Sequence, residues 1–199
     1  MDTLYCKGFA PDPNGKKTIW VNGEKIQGQW VEGYYVKMHK TTCCFSNEEP
    51  KDNTLHQILF EQMTDWNLPN KYYRADILPE TLCYCTGFKD KNNNDIFVGD
   101  KIIFYINNKT KLTGTVCYEV GAFGIGFDNI LDYNKLEKMA QKHTNESNFW
   151  EGVKNDLFLS FWELGWNFNL MVEEDTKFNF IEIIGNKFKG IEKDINNGR

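Results

Sequence analysis

The segment KTIWVNGEKIQGQWVEGYYVKMH, residues 17–39, restricts the fold more than any other part of the chain. Its apolar and polar residues alternate, and Asn22-Gly23 is a pair that type I′ hairpin turns prefer, because both central positions need a positive φ. We therefore predict strands at Lys17–Val21 and Glu24–Gln27, with a further β run at Gln29–Met38. We therefore expect the first part of the chain to form an antiparallel sheet.

Later segments continue this pattern. The alternating residues 100–106 predict a strand buried on both sides, and residues 112–127 predict a hairpin whose Gly121-Ala122 pair fits a type II′ turn. FNFIEIIGNKF, residues 178–188, is typical of a closing strand that turns at Gly185-Asn186. Residues 54–63 suit a helix or a strand.

Helical signals are few. Apolar residues from Leu136 to His143 keep helical spacing, and a second helix is possible from Asn148, with Glu151 placed as in a capping box. Eight or more short strands with one or two short helices predict a mainly β fold, built like a barrel from small curled sheets.

The chain has 199 residues, of which 41% are hydrophobic, as in a folded globular protein. We expect a single unit over 1–199. Within it, an N-terminal β subdomain at 1–80 and a barrel-like part at 81–190 are possible, the latter with an aromatic-rich insertion near 129–173.

The net charge of −5 is spread along the chain and disfavours a strongly basic, nucleic-acid-binding domain. Neither a secretion signal nor a long apolar run is recognisable, so we expect a soluble protein of the cytoplasm, with no membrane partner.

Several sequence blocks follow one another in order from about Gln29 to Phe188. They are QWVEGYYV at residues 29–36, Pro79-Glu80-Thr81, Thr86-Gly87, Lys89-Asp90-Lys91-Asn92, Ile96-Phe97, Gly99-Asp100 and Glu182-Ile183-Ile184-Gly185-Asn186. Together these blocks resemble the YopX family of small phage and prophage proteins. The resemblance implies a mainly β, barrel-like fold and a viral or prophage origin, and it brings no established activity or catalytic residues. Asn93 and Val98 depart from the family's glycine and glutamate.

The stretch CTGFKDKNNNDIFVGDKIIF, residues 85–104, also invites a phosphate-loop or calcium-loop interpretation. It lacks the Gly-Lys-Ser/Thr of a phosphate loop and the alternating acidic residues of a calcium loop. We interpret it as structural. Asn93 can replace glycine in a turn, and Gly99-Asp100 makes a sharp entry into the next strand.

Cysteine and histidine side chains are the other candidates for chemistry. A zinc site would draw on His39, Cys43, Cys44, Cys83 and Cys85, but their spacing does not fit one. A Cys-His nucleophile would need His39, His56 or His143, and no local motif supports such a pair. We predict reduced, largely buried thiols, no metal, no cofactor and no enzymatic activity.

Two surfaces remain as candidates for binding. Seven large rings fall within residues 149–168, and those that find no core would form a surface for a protein partner or for self-association. The residues proposed for this surface are Trp150, Phe161, Trp162 and Trp166. Lys89, Lys91 and Lys101 form a possible basic patch.

The sequence thus predicts a non-enzymatic phage or prophage accessory protein that binds a host or phage protein in the host cytoplasm. The alternative is a nucleic-acid-binding regulator that uses a small-barrel surface. Homo-oligomers are compatible with both.

Overall fold

The computed structural model describes residues 4–39, 54–63, 70–107, 110–128, 158–162 and 177–188. Over these ranges the protein is mainly β, which confirms the predicted fold class. The chain divides into two compact units. Unit 1 comprises Met1–Tyr84 and Phe188–Arg199, and unit 2 comprises Cys85–Lys187. The helices expected at 136–143 and from residue 148 lie outside the described residues.

Unit 1 is built on an antiparallel sheet in which β5, β4, β3, β1 and the start of β6 lie side by side, while β2 pairs with β3. A turn of 3₁₀ helix, Pro79–Thr81, precedes β6. The strands are β1 (Tyr5–Pro11), β2 (Lys17–Val21), β3 (Glu24–His39), β4 (Thr54–Gln62), β5 (Lys71–Asp76) and β6 (Cys83–Lys89).

The predicted hairpin between β2 and β3 is confirmed. Val21 pairs with Glu24 across the turn, and Asn22 and Gly23 adopt φ angles of 51° and 86°. The strand after the turn continues without a break through the predicted Gln29–Met38 run. Residues 54–62 form a strand rather than a helix, because their partners on β3 and β5 satisfy the backbone on both sides.

Unit 1 buries two small apolar clusters rather than one large core. Around Ile58, which is fully buried, pack Ala10, Val31 and Ile77. Phe9 and Ile19 form the centre of the second cluster, together with Val21 and the partly buried rings of Trp30 and Phe188. The ring centroids of Phe9 and Trp30 lie 5.5 Å apart, edge to face, an arrangement that aromatic pairs favour.

In unit 2 the antiparallel sheet has the order β11, β10, β9, β8, β12, and the end of β6 pairs separately with β7. Among the described residues, neither the sheet of unit 1 nor that of unit 2 closes into a barrel. The strands are β7 (Asp95–Phe97), β8 (Asp100–Asn107), β9 (Thr110–Glu119), β10 (Ala122–Phe127), β11 (Phe158–Ser160) and β12 (Ile181–Asn186).

Unit 2 contains the larger core. Strand β8 buries Ile102 and Phe104 almost completely, whereas Ile103 and Tyr105 on its other face are only half-buried. The expectation of burial on both sides of this strand was therefore wrong for the face of Ile103 and Tyr105, which is only partly covered. Other core residues are Ile96, Leu112, Val116, Ile125, Phe127, Leu159, Phe161, Phe178 and Ile181.

Part of the predicted aromatic insertion belongs to this core. Strand β11 falls within residues 129–173, and it pairs with β10 from Gly126 to Gly124. Phe158 and Leu159 are buried on this strand, as is Phe161 just after it. The described part of the segment thus supplies the outermost strand on the β10 side of the described unit 2 sheet and contributes side chains to its core.

Candidate functional site

The polar loop between β6 and β7 is organised around one buried carboxylate. Asp90 is fully buried, and its Oδ1 accepts hydrogen bonds from the backbone N–H groups of Asn92 at 2.9 Å and Asn94 at 2.8 Å. Asn93 has a φ of 68°. This left-handed conformation confirms that asparagine replaces the expected glycine, which it can do because its short polar side chain tolerates this region.

The same carboxylate reaches the last strand. Its Oδ2 accepts a hydrogen bond from the backbone N–H of Ile183 at 3.3 Å, and the N–H of Lys91 donates to the carbonyl of Ile181 at 2.9 Å. Two separate blocks of the sequence, 89–92 and 182–186, therefore meet at this loop. The loop also satisfies outward-facing backbone groups of β12, which would otherwise be an open sheet edge.

A second buried carboxylate repeats this arrangement at the start of β8. Asp100 accepts the N–H of Phe97 at 2.9 Å and the side-chain N–H of Asn186 at 3.0 Å. Gly99, with a φ of 88°, makes the sharp entry that was predicted for this position. Asp100 is only 1% exposed, so its oxygens serve the fold rather than a ligand in solution.

The Pro79-Glu80-Thr81 block has an equally structural role, in unit 1. The hydroxyl of buried Thr81 donates to the carbonyl of Leu78 at 2.7 Å and accepts the N–H of Phe9 at 2.9 Å. It thereby ties the 3₁₀ turn to β1. At Asp90, Asp100 and Thr81 alike, the described motif residues connect strands to neighbouring segments through hydrogen bonds.

The described thiols are buried or half-buried. Cys6 and Cys83 are buried, and each donates a hydrogen bond to a carbonyl two residues away, that of Leu4 or Thr81. Burial, with Glu119 nearby, raises the pKa of the Cys117 thiol to about 12. A thiol is a weak nucleophile and a poor metal ligand compared with a thiolate.

The residues considered for zinc do not assemble as a described group. His39 is exposed, Cys83 is buried, and Cys43 and Cys44 lie outside the described residues. Within the ranges given above, no three His, Cys, Asp or Glu side chains gather as metal ligands would. Of the other histidines considered for a Cys-His nucleophile, His143 lies outside the described residues. Nδ1 of His56 lies 2.6 Å from the hydroxyl of Tyr35.

Two of the three lysines of the predicted basic patch are paired with carboxylates. Nζ of Lys89 lies 2.6 Å from the carboxylate of Asp95, and Nζ of Lys91 lies 2.7 Å from that of Glu182. The Lys91 ammonium, together with the Tyr105 hydroxyl, holds the pKa of Glu182 below its usual range. Lys101 is exposed on β8. The ion pairs reduce the positive potential that nucleic-acid phosphates would meet.

The aromatic residues proposed for a partner surface have different positions. Phe161 is 1% exposed and packs against Phe88 and Phe178, with ring centroids 5.4 and 5.2 Å away. Trp162 is 77% exposed. Trp150 and Trp166 lie outside the described residues. Of the four, Trp162 is therefore the one whose exposed ring the structure describes.

The hairpin of β9 and β10, which the sequence predicted from residues 112–127, has an exposed apolar end. The turn between β9 and β10 carries Val120, which is 90% exposed, and Tyr118 before it is 57% exposed. Phe158 pairs with Gly126 and Ser160 with Gly124, so β11 runs toward this turn and Trp162 lies just beyond its nearer end. We call Tyr118, Val120 and Trp162 the hairpin-end patch.

The turn itself differs from the prediction. Its central residues are Val120 and Gly121, with φ angles of 50° and 81°, so it is a type I′ turn one residue earlier than the expected type II′ turn. Valine is unfavourable there because a β-branched side chain is strained at positive φ. The sequence signal for this turn was weak, because Val-Gly occupies the two positions at which Asn-Gly is usual.

Replacing Val120 by asparagine should raise the free energy of unfolding of unit 2 by about 1 kcal/mol, because asparagine tolerates the left-handed conformation. Urea unfolding would measure the change. Val120→Thr is the matched control. It keeps the β-branch and should give no gain, and equal stability of the asparagine variant and the wild type would show that the turn is not strained.

Within the described residues, no helix is long and apolar enough to cross a lipid bilayer.

Comparison with known proteins gives one family. A search of the curated proteins and of the solved structures returns no match. The family profile described as YopX protein matches residues 20–190, which includes the buried aspartates, the loop they organise and strand β12. The chain therefore belongs to the YopX protein family.

Proposed function

We propose that this YopX-family protein is a non-enzymatic phage or prophage accessory protein that binds a host or phage protein in the host cytoplasm. The observation that carries the proposal is the hairpin-end patch. Trp162 and Val120 expose most of their apolar side chains at one end of the unit 2 sheet. Tryptophan is among the residues most enriched at the energetic centres of protein interfaces.

The strain at Val120 supports the same proposal. An exposed valine at positive φ costs stability, and its side chain buries too little surface to offset this cost. Residues that break a local rule without structural compensation are common at functional sites. An apolar tip that enters a pocket of a partner would explain the valine.

Electrostatics favour a protein partner over nucleic acid. Lys89 and Lys91 are neutralised by Asp95 and Glu182 within unit 2, so phosphate binding would have to compete with existing ion pairs. The raised pKa of the Cys117 thiol and the burial of the Cys6 and Cys83 thiols support a role without nucleophilic catalysis.

Site-specific photo-crosslinking tests the proposal. A benzophenone amino acid in place of Trp162, introduced in the cells that naturally carry the gene, should produce a discrete protein adduct. The same probe in place of Trp20 is the matched control, because Trp20 is a half-exposed tryptophan of unit 1. Adduct formation at 162 and not at 20 is the expected result.

Two outcomes would contradict the proposal. Equal adducts from both positions would show that the patch has no preferred partner. A nuclease-sensitive adduct would favour the alternative, a nucleic-acid-binding regulator. In that case, substituting Lys89, Lys91 and Lys101 together should abolish a salt-dependent shift of DNA or RNA in gel electrophoresis.

A further inference from the structure

Strand β5 is a sheet edge whose outer side pairs with no described strand as far as Asp76, and just beyond it the N–H of Leu78 donates to the carbonyl of Phe9 on β1. It is the last strand in the order of the unit 1 sheet, and among the described residues no strand pairs with its outer side. Residues 71–74 are all exposed, with Tyr72 at 68% and Tyr73 at 41%. By contrast, the loop at Asp90 covers the outer side of β12 in unit 2.

The register of β5 shows which backbone groups point outward. The N–H of Ile77 donates to the carbonyl of His56, which continues the regular pairing of β5 with β4. Hydrogen-bonded and non-hydrogen-bonded pairs alternate in an antiparallel ladder. Tyr73 and Ala75 therefore bond to β4, whereas Tyr72, Arg74 and Asp76 direct their N–H and C=O groups to the open edge.

We infer that this edge pairs with β5 of a second copy of the chain, in an antiparallel ladder related by a two-fold axis. The axis passes between the Tyr73 residues of the two copies, and Tyr72 of each copy lies opposite Arg74 of the other. Both of these residues direct their backbone groups outward, so each Tyr72–Arg74 pair can exchange two hydrogen bonds. A tyrosine ring beside a guanidinium also gains cation–π attraction.

The charges on β5 select this register. Lysine and arginine on an edge strand usually prevent uncontrolled pairing. Here Arg74 lies opposite an uncharged tyrosine, and Lys71 lies opposite Ala75. Moving the axis to residue 74 would place the two Arg74 side chains opposite each other, where like charges are destabilising. Moving it to residue 72 would pair only residues 71–73 of the two β5 strands, whereas the inferred register pairs residues 71–75.

Proline at position 74 tests the ladder itself. Proline is tolerated on an edge strand where the missing N–H faced solvent, so Arg74→Pro should keep the fold of the monomer and its bonds to β4. Sedimentation equilibrium of the full chain should show a dimer for the wild type. The dissociation constant of the variant should be about tenfold higher or more, because two of the central hydrogen bonds are lost.

A disulfide test identifies the register and does not depend on the proline variant folding. In the inferred ladder the two residues at position 73 form a non-hydrogen-bonded pair with Cα atoms about 4.5 Å apart, within reach of a disulfide. Tyr73→Cys should therefore form a covalent dimer on mild oxidation. The two residues at position 72 would be about 9 Å apart, so Tyr72→Cys, a control at a more exposed position, should not.

These outcomes decide the inference. A dimer that is weakened by Arg74→Pro and crosslinked through position 73 supports it. A wild-type protein that stays monomeric at all concentrations measured, a dimer that Arg74→Pro leaves intact, or crosslinking through position 72 in place of 73 would overturn it. The inference does not rest on the proposed function, because β5 belongs to unit 1 and the hairpin-end patch to unit 2.

Discussion

Replacing Asp90 by alanine should lower the free energy of unfolding of unit 2 by about 3–5 kcal/mol. The carboxylate accepts the backbone N–H groups of Asn92, Asn94 and Ile183, and its own side chain is fully buried. Alanine would leave these donors without their acceptor, and the link between the loop and β12 would be lost. Urea unfolding followed by circular dichroism would measure the loss.

Asp95→Ala, at the first residue of β7 just after this loop, is the matched control. Asp95 is 35% exposed and forms an ion pair with Lys89, and exposed ion pairs contribute about 1 kcal/mol or less. Its removal should therefore have a small effect. If Asp90→Ala proved no more destabilising than Asp95→Ala, the buried carboxylate would not be holding the loop, and a ligand-binding role for the loop would have to be reconsidered.

Replacing Phe161 by alanine should cost about 3–5 kcal/mol of stability, because it would leave a cavity between Phe88 and Phe178. Trp162→Ala, one residue further on, should change stability by about 0.5 kcal/mol or less, because most of its side chain is already in water. Thermal unfolding of both variants would measure the difference.

This pair separates folding from binding in the aromatic segment. A partner that binds the hairpin-end patch would lose affinity with Trp162→Ala although the variant folds normally. A large loss of stability from Trp162→Ala would instead show that the tryptophan packs against the protein's own chain. In that case it could not serve as a surface for a partner.

Features that depend on local backbone geometry were predictable. Asn22-Gly23 gives the expected turn because both residues accept positive φ, and Asn93 takes the place of a glycine for the same reason. The prediction placed the turn of the β9–β10 hairpin one residue too late. Valine is disfavoured at positive φ, so residue preferences assigned the turn to Gly121-Ala122 rather than to Val120-Gly121.

Features that depend on residues distant in the sequence were not predictable. The lysines of the proposed patch could be listed, but the partner of Lys91 is Glu182 on β12, the last of the described strands. Likewise, the oxygens of Asp90 and Asp100 are engaged by Ile183 and Asn186. The pairing of strands that are distant in the sequence brought these groups together. No pattern of residue spacing within one segment encodes such pairing.

By itself, the sequence determined the β character of the chain, its turns at asparagine and glycine, and its resemblance to the YopX family, because these depend on short-range backbone preferences and on ordered motifs. Only the tertiary structure decided which aromatic residue is buried. Phe161 and Trp162 are neighbours of similar hydrophobicity, and the position of β11 beside β10 directs one ring into the core and leaves the other in water. Burial is a property of packing between segments, so adjacent residues of the same chemical kind can have opposite roles.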